Sequence, residues 1–146
     1  MRKKLTIITI VLLAIVFCSP QSFSQTGKWT QLLPPHSPPL RVSFRIAYLG
    51  EDKVILFGGR SSENSSLIGD TWIYGLSDNE WTEVKCDTSP RAREFQAMTH
   101  IADGKILLYG GLLDGDYGWG SDTWIFDLET MKWKELFPVR HPAARY

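Results

Sequence analysis

The chain has 146 residues, with 16 basic and 16 acidic side chains and therefore a formal net charge of zero. Without the N-terminal leader described next, thirteen basic residues remain against sixteen acidic ones, and this formal charge near −3 argues against a nucleic-acid partner. The 122 residues from Gln25 to Tyr146 are enough for one modest core and exclude two independent domains.

The N-terminus has the pattern of a secretory signal peptide. A basic start, Met1–Lys4, precedes the uncharged apolar run Leu5–Phe17, which is shorter than the roughly 20 residues of a membrane-spanning helix. Ser22 and Ser24 are small residues of the kind that signal peptidase reads, so we predict a signal peptide over residues 1–24. The sequence therefore predicts an exported protein, located in the periplasm, outside the cell or at its surface, with no transmembrane segment after cleavage.

Two alternatives to cleavage after Ser24 concern the same region. Lipidation of Cys18 is the minority alternative, because such sites need a small residue before the cysteine and Phe17 is bulky. The second alternative is that the N-terminal segment is retained as an anchor. In the mature chain only Cys86 remains, so no internal disulfide is expected and packing must hold the fold.

An internal repeat with a constant offset of 52 residues organises the rest of the chain. Without any gap, residues 29–80 align with 81–132 at fourteen identical positions. A period of this length indicates a repeat architecture. The repeated bulky, glycine and acidic residues are Gly58-Gly59 with Gly110-Gly111, Asp70 with Asp122, Trp72 with Trp124, and Trp81 with Trp133.

The pattern of each repeat unit predicts four short strands separated by turn residues. The first unit predicts strands at about 44–49, 53–57, 71–76 and 80–84, and the second at about 95–101, 105–109, 123–128 and 132–136. Helical periodicity is absent from both units. The glycine pairs predict sharp strand ends, and the four tryptophans predict packing between neighbouring sheets. Each aspartate comes just before a strand, where we expect its carboxylate to accept backbone N–H bonds and fix the turn.

The order of arginine, apolar strand, Gly-Gly, Asp-Thr-Trp-Ile-aromatic and tryptophan resembles the kelch repeat, the repeat also found in propellers of the galactose-oxidase type. The resemblance implies an all-β fold, a partial kelch-type β-propeller with two four-stranded antiparallel blades at 41–84 and 93–136 within a kelch region at 25–146. Residues 28–33 would supply a strand of a preceding or closing blade, and 137–146 would begin a third unit. Arg41-Val42-Ser43 and Arg93-Glu94-Phe95 depart from the Gly-His that many family members have near this arginine.

Two blades cannot close a ring, since propellers have typically 4–8 blades. We expect a fragment of a longer propeller or a truncated product. Self-assembly of several copies into one ring is the alternative.

The loop between the glycine pair and the aspartate differs most between the two units, and function in repeat proteins concentrates in such loops. In the second unit, Tyr117 and Trp119 could offer flat rings to a sugar, with Asp114 and Asp116 accepting its hydroxyls. The favoured alternative is that Trp119 packs back on the blade and the carboxylates are solvated. A calcium loop fits poorly, because Ile125 stands where a ligating glutamate is expected.

No catalytic constellation is apparent, and we expect no catalytic residues, metal or cofactor. His36, His100 and His141 share no repeat position or ligand spacing. The first hypothesis is a non-catalytic binding module that presents loops to a protein or glycan, and a surface adhesin that contacts glycans is a variant of it. The alternative is a fragment of a kelch-propeller enzyme acting on sugars, of the oxidase or sugar-acid isomerase type, and it leaves the question of enzymatic activity open.

Overall fold

The computed structural model describes residues 27–115 and 118–144, and the predicted signal peptide at 1–24 lies outside them. These residues form an all-β structure of antiparallel sheets. The strands are β1 (Arg41–Val42), β2 (Arg45–Gly50), β3 (Lys53–Phe57), β4 (Arg60–Ser61), β5 (Thr71–Gly75), β6 (Glu80–Val84), β7 (Arg93–Glu94), β8 (Ala97–Ala102), β9 (Lys105–Tyr109), β10 (Leu112–Leu113), β11 (Thr123–Asp127) and β12 (Lys132–Leu136).

Blade 1 is the four-stranded antiparallel sheet with the order β2-β3-β5-β6, so its strands lie side by side in the order in which they follow one another along the chain. Tight turns join β2 to β3 and β5 to β6, and Glu51, Asp52 and Asn79 take positive φ there. Asparagine and aspartate tolerate this conformation better than most other residues, which favours turns at Asp52 and Asn79. A register shift between Tyr48 and Gly50 precedes the first turn.

Blade 2 has the order β12-β11-β9-β8 and repeats blade 1 strand for strand. Its strands begin 52 residues after their counterparts, and the same register shift recurs between His100 and Ala102. The predicted central and last strands agree with the observed ones within one residue. The first strand of each blade starts one or two residues later than predicted, because Ser43 and Phe95 adopt positive φ and interrupt the extended chain.

Two additional sheets of two strands each were not predicted. β1 pairs with β4, and β7 pairs with β10 at the equivalent place in the second unit. Two-residue strands carry no alternation of apolar and polar residues, so the sequence pattern gives no signal for them. Residues 28–33 form no strand in the structure, and their role in completing a blade stays a prediction.

The core lies between the two blades, at an interface that we call the seam. Its apolar residues come from one face of each blade: Leu49, Ile55, Phe57 and Ile73 from blade 1, and Ile106, Leu108, Trp124, Phe126 and Trp133 from blade 2. All four repeated tryptophans were predicted to be core residues. Trp124 and Trp133 are buried, whereas Trp72 and Trp81 are half-buried, because their face of blade 1 packs against no sheet within 27–115 and 118–144.

Polar bonds also cross the seam. The amide of Gly59 donates to the carbonyl of Arg93 at 2.8 Å, and the amide of Phe95 donates to the carbonyl of Ser43 at 3.2 Å. The buried Gln96 side chain donates through Nε2 to the Phe57 carbonyl at 2.8 Å. The seam therefore combines apolar packing with directional bonds that fix the position of one blade against the other.

Candidate functional site

A network of arginine, aspartate and tryptophan stands at the start of blade 2. Arg93 is fully buried and donates from both terminal nitrogens to Asp122, at 2.7 and 2.6 Å. It also donates to the carbonyl of Gly110 at 2.9 Å, while the indole of Trp124 donates to Asp122 at 2.7 Å. Burial of the Asp122 carboxylate raises its pKa, but the bonds from Arg93 and Trp124 outweigh burial and hold the pKa below its ordinary value.

Blade 1 repeats this network with Arg41, Asp70 and Trp72. Arg41 donates to Asp70 and to the carbonyl of Gly58, and the Trp72 indole donates to Asp70 at 2.8 Å. The aspartates were predicted to fix a turn through backbone bonds, yet their main partners are the arginine and tryptophan side chains. Because each unit has the same set of bonds, the network serves the scaffold that both units share.

The second glycine of each pair allows two chain segments to come close together. Gly59 and Gly111 have φ of 106° and 101°, values that favour glycine. A Cβ on Gly111 would lie 2.7 Å from the carbonyl oxygen of Glu94, and a Cβ on Gly59 would lie 2.7 Å from that of Val42. The first glycines, Gly58 and Gly110, also have positive φ. The glycine pairs thus place the start of each long loop directly on the entry strand of its blade.

The two long loops, residues 60–69 and the described residues 112–115 and 118–121, form what we call the loop face. The first loop reaches the entry of blade 2, where Arg60 donates to Glu94 at 3.0 and 2.6 Å. The second loop pairs with the same entry through β7 and β10. Hydrogen bonding to Glu94 raises the pKa of Arg60. The two loops are therefore neighbours.

Trp119 lies beside a cleft at the edge of the loop face, and 43% of its surface is exposed. The cleft has a volume of about 340 Å³ and is lined by Arg91, Leu113, Trp119, Gly120, Ser121, Asp122, Trp124 and Glu135. Among the predicted binding residues, Trp119 lines it and the exposed Asp114 does not, while Asp116 and Tyr117 lie outside the described residues. Arg91, Ser121 and Glu135 were missed, because they come from three separate segments and share no motif.

The remaining candidate residues are dispersed. His36 lies 3.6 Å from Glu80, the ring of His100 lies 6.4 Å from that of Tyr48, and His141 is exposed. Within residues 27–115 and 118–144, no three His, Cys, Asp or Glu side chains are grouped as metal ligands would be. Burial raises the pKa of the Cys86 thiol, which donates to the Met131 carbonyl at 3.5 Å. The described part of the chain also has no helix long and apolar enough to cross a membrane.

Two four-stranded antiparallel blades with a repeated Arg-Asp-Trp network define a repeat protein of the β-propeller class. The sequence matches the KLHDC2/KLHL20/DRC7 Kelch-repeats domain over residues 21–146. The chain therefore belongs to the kelch-repeat family.

Relatives share this repeat region within longer proteins. The chain is 32% identical over 116 residues to tRNA wybutosine-synthesizing protein 2/3/4 of Oryza sativa subsp. japonica, covering 77% of this chain and 10% of the relative. It is 31% identical to an F-box/kelch-repeat protein of Arabidopsis thaliana, covering 68% of this chain and 22% of the relative. It is 34% identical to Kelch domain-containing protein 1 of Mus musculus, covering 74% of this chain and 26% of the relative. The chain thus spans a quarter or less of the length of most of the curated relatives that it matches.

Proposed function

We propose that this chain is a non-catalytic interaction module of an exported protein and that it binds a partner protein through the loop face. The observation that carries the proposal is the contrast between a repeated scaffold and two unlike loops. The same arginine, aspartate, tryptophan and glycine residues hold both units. The loops differ, since 60–69 is rich in serine and 112–121 in glycine, acidic and aromatic residues.

The way in which the loops are held supports this proposal. The amides of Ile68 and Gly120 each donate at 2.8 Å to the second glycine of their pair, so both loops return to the scaffold at the same place. The Arg60–Glu94 ion pair connects the first loop to blade 2. Loops fixed at both ends present a defined surface, and this limits the conformational entropy lost on binding.

The kelch-repeat relatives favour an interaction module over a fragment of a sugar-acting enzyme. The partner itself stays a proposal, as does completion of the ring by further blades of a longer propeller or by other copies. Each of these arrangements would leave the loop face on one end of the blades, because both loops connect the second and third strands of their blade.

Export is supported by the sequence of residues 1–24 alone. The basic start and the short apolar run have the pattern of a cleaved signal peptide. N-terminal sequencing of the protein recovered from cells tests this part of the proposal. A mature N-terminus at Gln25 is the expected result, and a protein that retains Met1–Ser24 in the cytosolic fraction would contradict export.

A loop exchange tests the interaction surface, because the two loops have the same length and equivalent ends. Replacing residues 112–121 by the sequence of 60–69 removes the second loop, and the reciprocal exchange removes the first. We expect cross-linking on cells to capture a defined partner with the original chain and to lose it in one exchange, with unfolding temperatures of the two chimaeras alike. Identical capture by both chimaeras would exclude the loop face, and turnover of a sugar substrate by the purified chain would exclude a non-catalytic module.

A further inference from the structure

A turn in the first long loop carries a polar arrangement of side chains. Asn64, Ser65 and Ser66 are all exposed there. The amide of Ser66 donates to Oδ1 of Asn64 at 3.1 Å, and the Ser66 hydroxyl donates to the same oxygen at 2.7 Å. Among the described residues, none accepts a bond from Nδ2 of Asn64. A carboxamide with an unbonded nitrogen and a serine hydroxyl therefore lie side by side at the surface.

The second unit closes its loop with the same backbone bond but without these side chains. The amide of Ser61 donates to the carbonyl of Ser66 at 2.9 Å, and the equivalent amide of Leu113 donates to the carbonyl of Gly118 at 2.8 Å. Glycine thus stands 52 residues after Ser66, and an aspartate stands 52 residues after Asn64. The repeat therefore does not require the carboxamide or the hydroxyl of the first loop.

The scaffold anchors the turn from behind. Arg60 donates through Nη1 to the carbonyl of Ser65 at 2.6 Å, while its Nε and Nη2 donate to Glu94 at the entry of blade 2. The amide of Ser65 also donates to the carbonyl of Ser61 at 3.1 Å. Because the Asn64 side chain itself is exposed, a bulky group attached to it would displace no buried contact.

Asn64-Ser65-Ser66 has the spacing of an acceptor for N-linked glycosylation, which is asparagine, any residue except proline, and then serine or threonine. The chain has one other asparagine, Asn79, which lacks this spacing. Asn79 is half-buried, and its amide bonds to the Tyr74 hydroxyl at 2.6 Å and to the Leu33 carbonyl at 3.4 Å. The asparagine with the acceptor spacing is thus the exposed one, on the kind of surface loop that the modification needs.

We infer that Asn64 is an N-glycosylation site, which receives its glycan from an oligosaccharide carried on a polyprenyl pyrophosphate. In this transfer Nδ2 of Asn64 forms a bond to the anomeric carbon of the oligosaccharide. The bond between that carbon and the pyrophosphate oxygen breaks, polyprenyl pyrophosphate leaves, and the amide loses one proton. In the natural protein this modification rests on the export that is part of the proposed function.

The modification would divide the loop face. A glycan on Asn64 would cover the first loop, because it is large and hydrated compared with a turn of a few residues. The second loop would then be the part of the loop face that is open to the protein partner. In the loop exchange, replacement of residues 112–121 is accordingly the change that should lose the partner.

Expression of the full chain in a secreting eukaryotic cell line tests the site, with its own leader in one arm and a leader of proven function in the other. We expect one species of reduced mobility, which peptide N-glycosidase converts to the unmodified size and leaves with aspartate in place of Asn64. Asn64→Gln and Ser66→Ala should lose this mobility shift completely, whereas Ser66→Thr should keep it. The matched control is Ser62→Ala, an exposed serine of the same loop outside the motif, which should also keep the shift.

The two leaders separate failure of export from failure of the site. A chain that keeps residues 1–24 with its own leader and gains the glycan with the proven leader would contradict export and support Asn64 as the acceptor. A cleaved and secreted chain that carries no glycan in either arm would overturn the site and leave export intact. Persistence of the shift in Asn64→Gln would also overturn it. Equal secretion of Ser66→Ala and Ser66→Thr would show that loss of the glycan reflects the motif and not misfolding.

Discussion

The indole nitrogen of Trp133 donates a hydrogen bond of 2.9 Å to the hydroxyl of Thr71, and this bond joins the last strand of blade 2 to the third strand of blade 1. The ring of Trp133 also packs edge-on against Phe57, with 5.3 Å between ring centroids. Both partners on blade 1 are buried. One side chain thus supplies apolar area, ring geometry and a polar bond to the seam.

We expect Trp133→Phe to lower the free energy of unfolding by about 2 kcal/mol, because the buried Thr71 hydroxyl loses its partner and the smaller ring leaves space. The matched control is Trp81→Phe at the equivalent position of blade 1, where the ring is half-buried and a loss below about 1 kcal/mol is expected. Urea unfolding of both variants measures the difference. Equal losses would show that the seam does not depend on this bond.

Arg93→Met should be strongly destabilising, by about 3 kcal/mol, because it leaves the Asp122 carboxylate without its bidentate partner in a partly buried site. Arg45→Met is the control, since Arg45 is exposed and donates only to the neighbouring Phe44 carbonyl among the described bonds of its side chain. It should change stability by less than about 0.5 kcal/mol. Chemical denaturation monitored by tryptophan fluorescence provides the comparison, and similar values for the two variants would contradict the role of Arg93.

Acid should unfold this chain partly through Asp70 and Asp122. Both carboxyls have a pKa below the ordinary value in the folded state, so they contribute stability above the unfolded pKa of about 4. That contribution is lost as the pH falls from about 5 through the folded pKa values. Asp122→Asn should therefore unfold with a shallower dependence on pH between about 5 and 2 than the original chain. Parallel stability curves for the two proteins would refute this assignment.

Gly111→Ala should cost about 3 kcal/mol, because the new Cβ would lie 2.7 Å from a backbone oxygen that cannot move freely and would stand at a φ of 101°. Gly115→Ala separates the effect of the close contact from the effect of the positive φ. Gly115 has a φ of 65° with nothing within 4 Å of an added Cβ, so about 1 kcal/mol is expected from conformation alone. Thermal unfolding of both variants tests the difference, and a smaller loss for Gly111→Ala would mean that the loop can shift away.

The repeat determined most of the fold from the sequence. Its offset of 52 residues, with a glycine pair after one strand and Asp-Thr-Trp before the next, was enough to predict both blades and their central strands. This succeeds because strand and turn preferences act over a few neighbouring residues and are repeated in two units. The same local pattern could not reveal β1, β4, β7 and β10, whose two residues pair only because the chain folds back on itself.

The site was decided by tertiary structure. Sequence alone pointed to the loop that carries Asp114 and Trp119, since that loop differs between the units. It did not indicate that Arg91 from the incoming connection and Glu135 from the last strand would line the same cleft as Trp119. These residues meet because the sheet and the seam bring distant segments together, and no spacing in the sequence encodes that contact. The sequence by itself determined the repeat, the strands and the differing loop, whereas the tertiary structure decided which side chains share a surface.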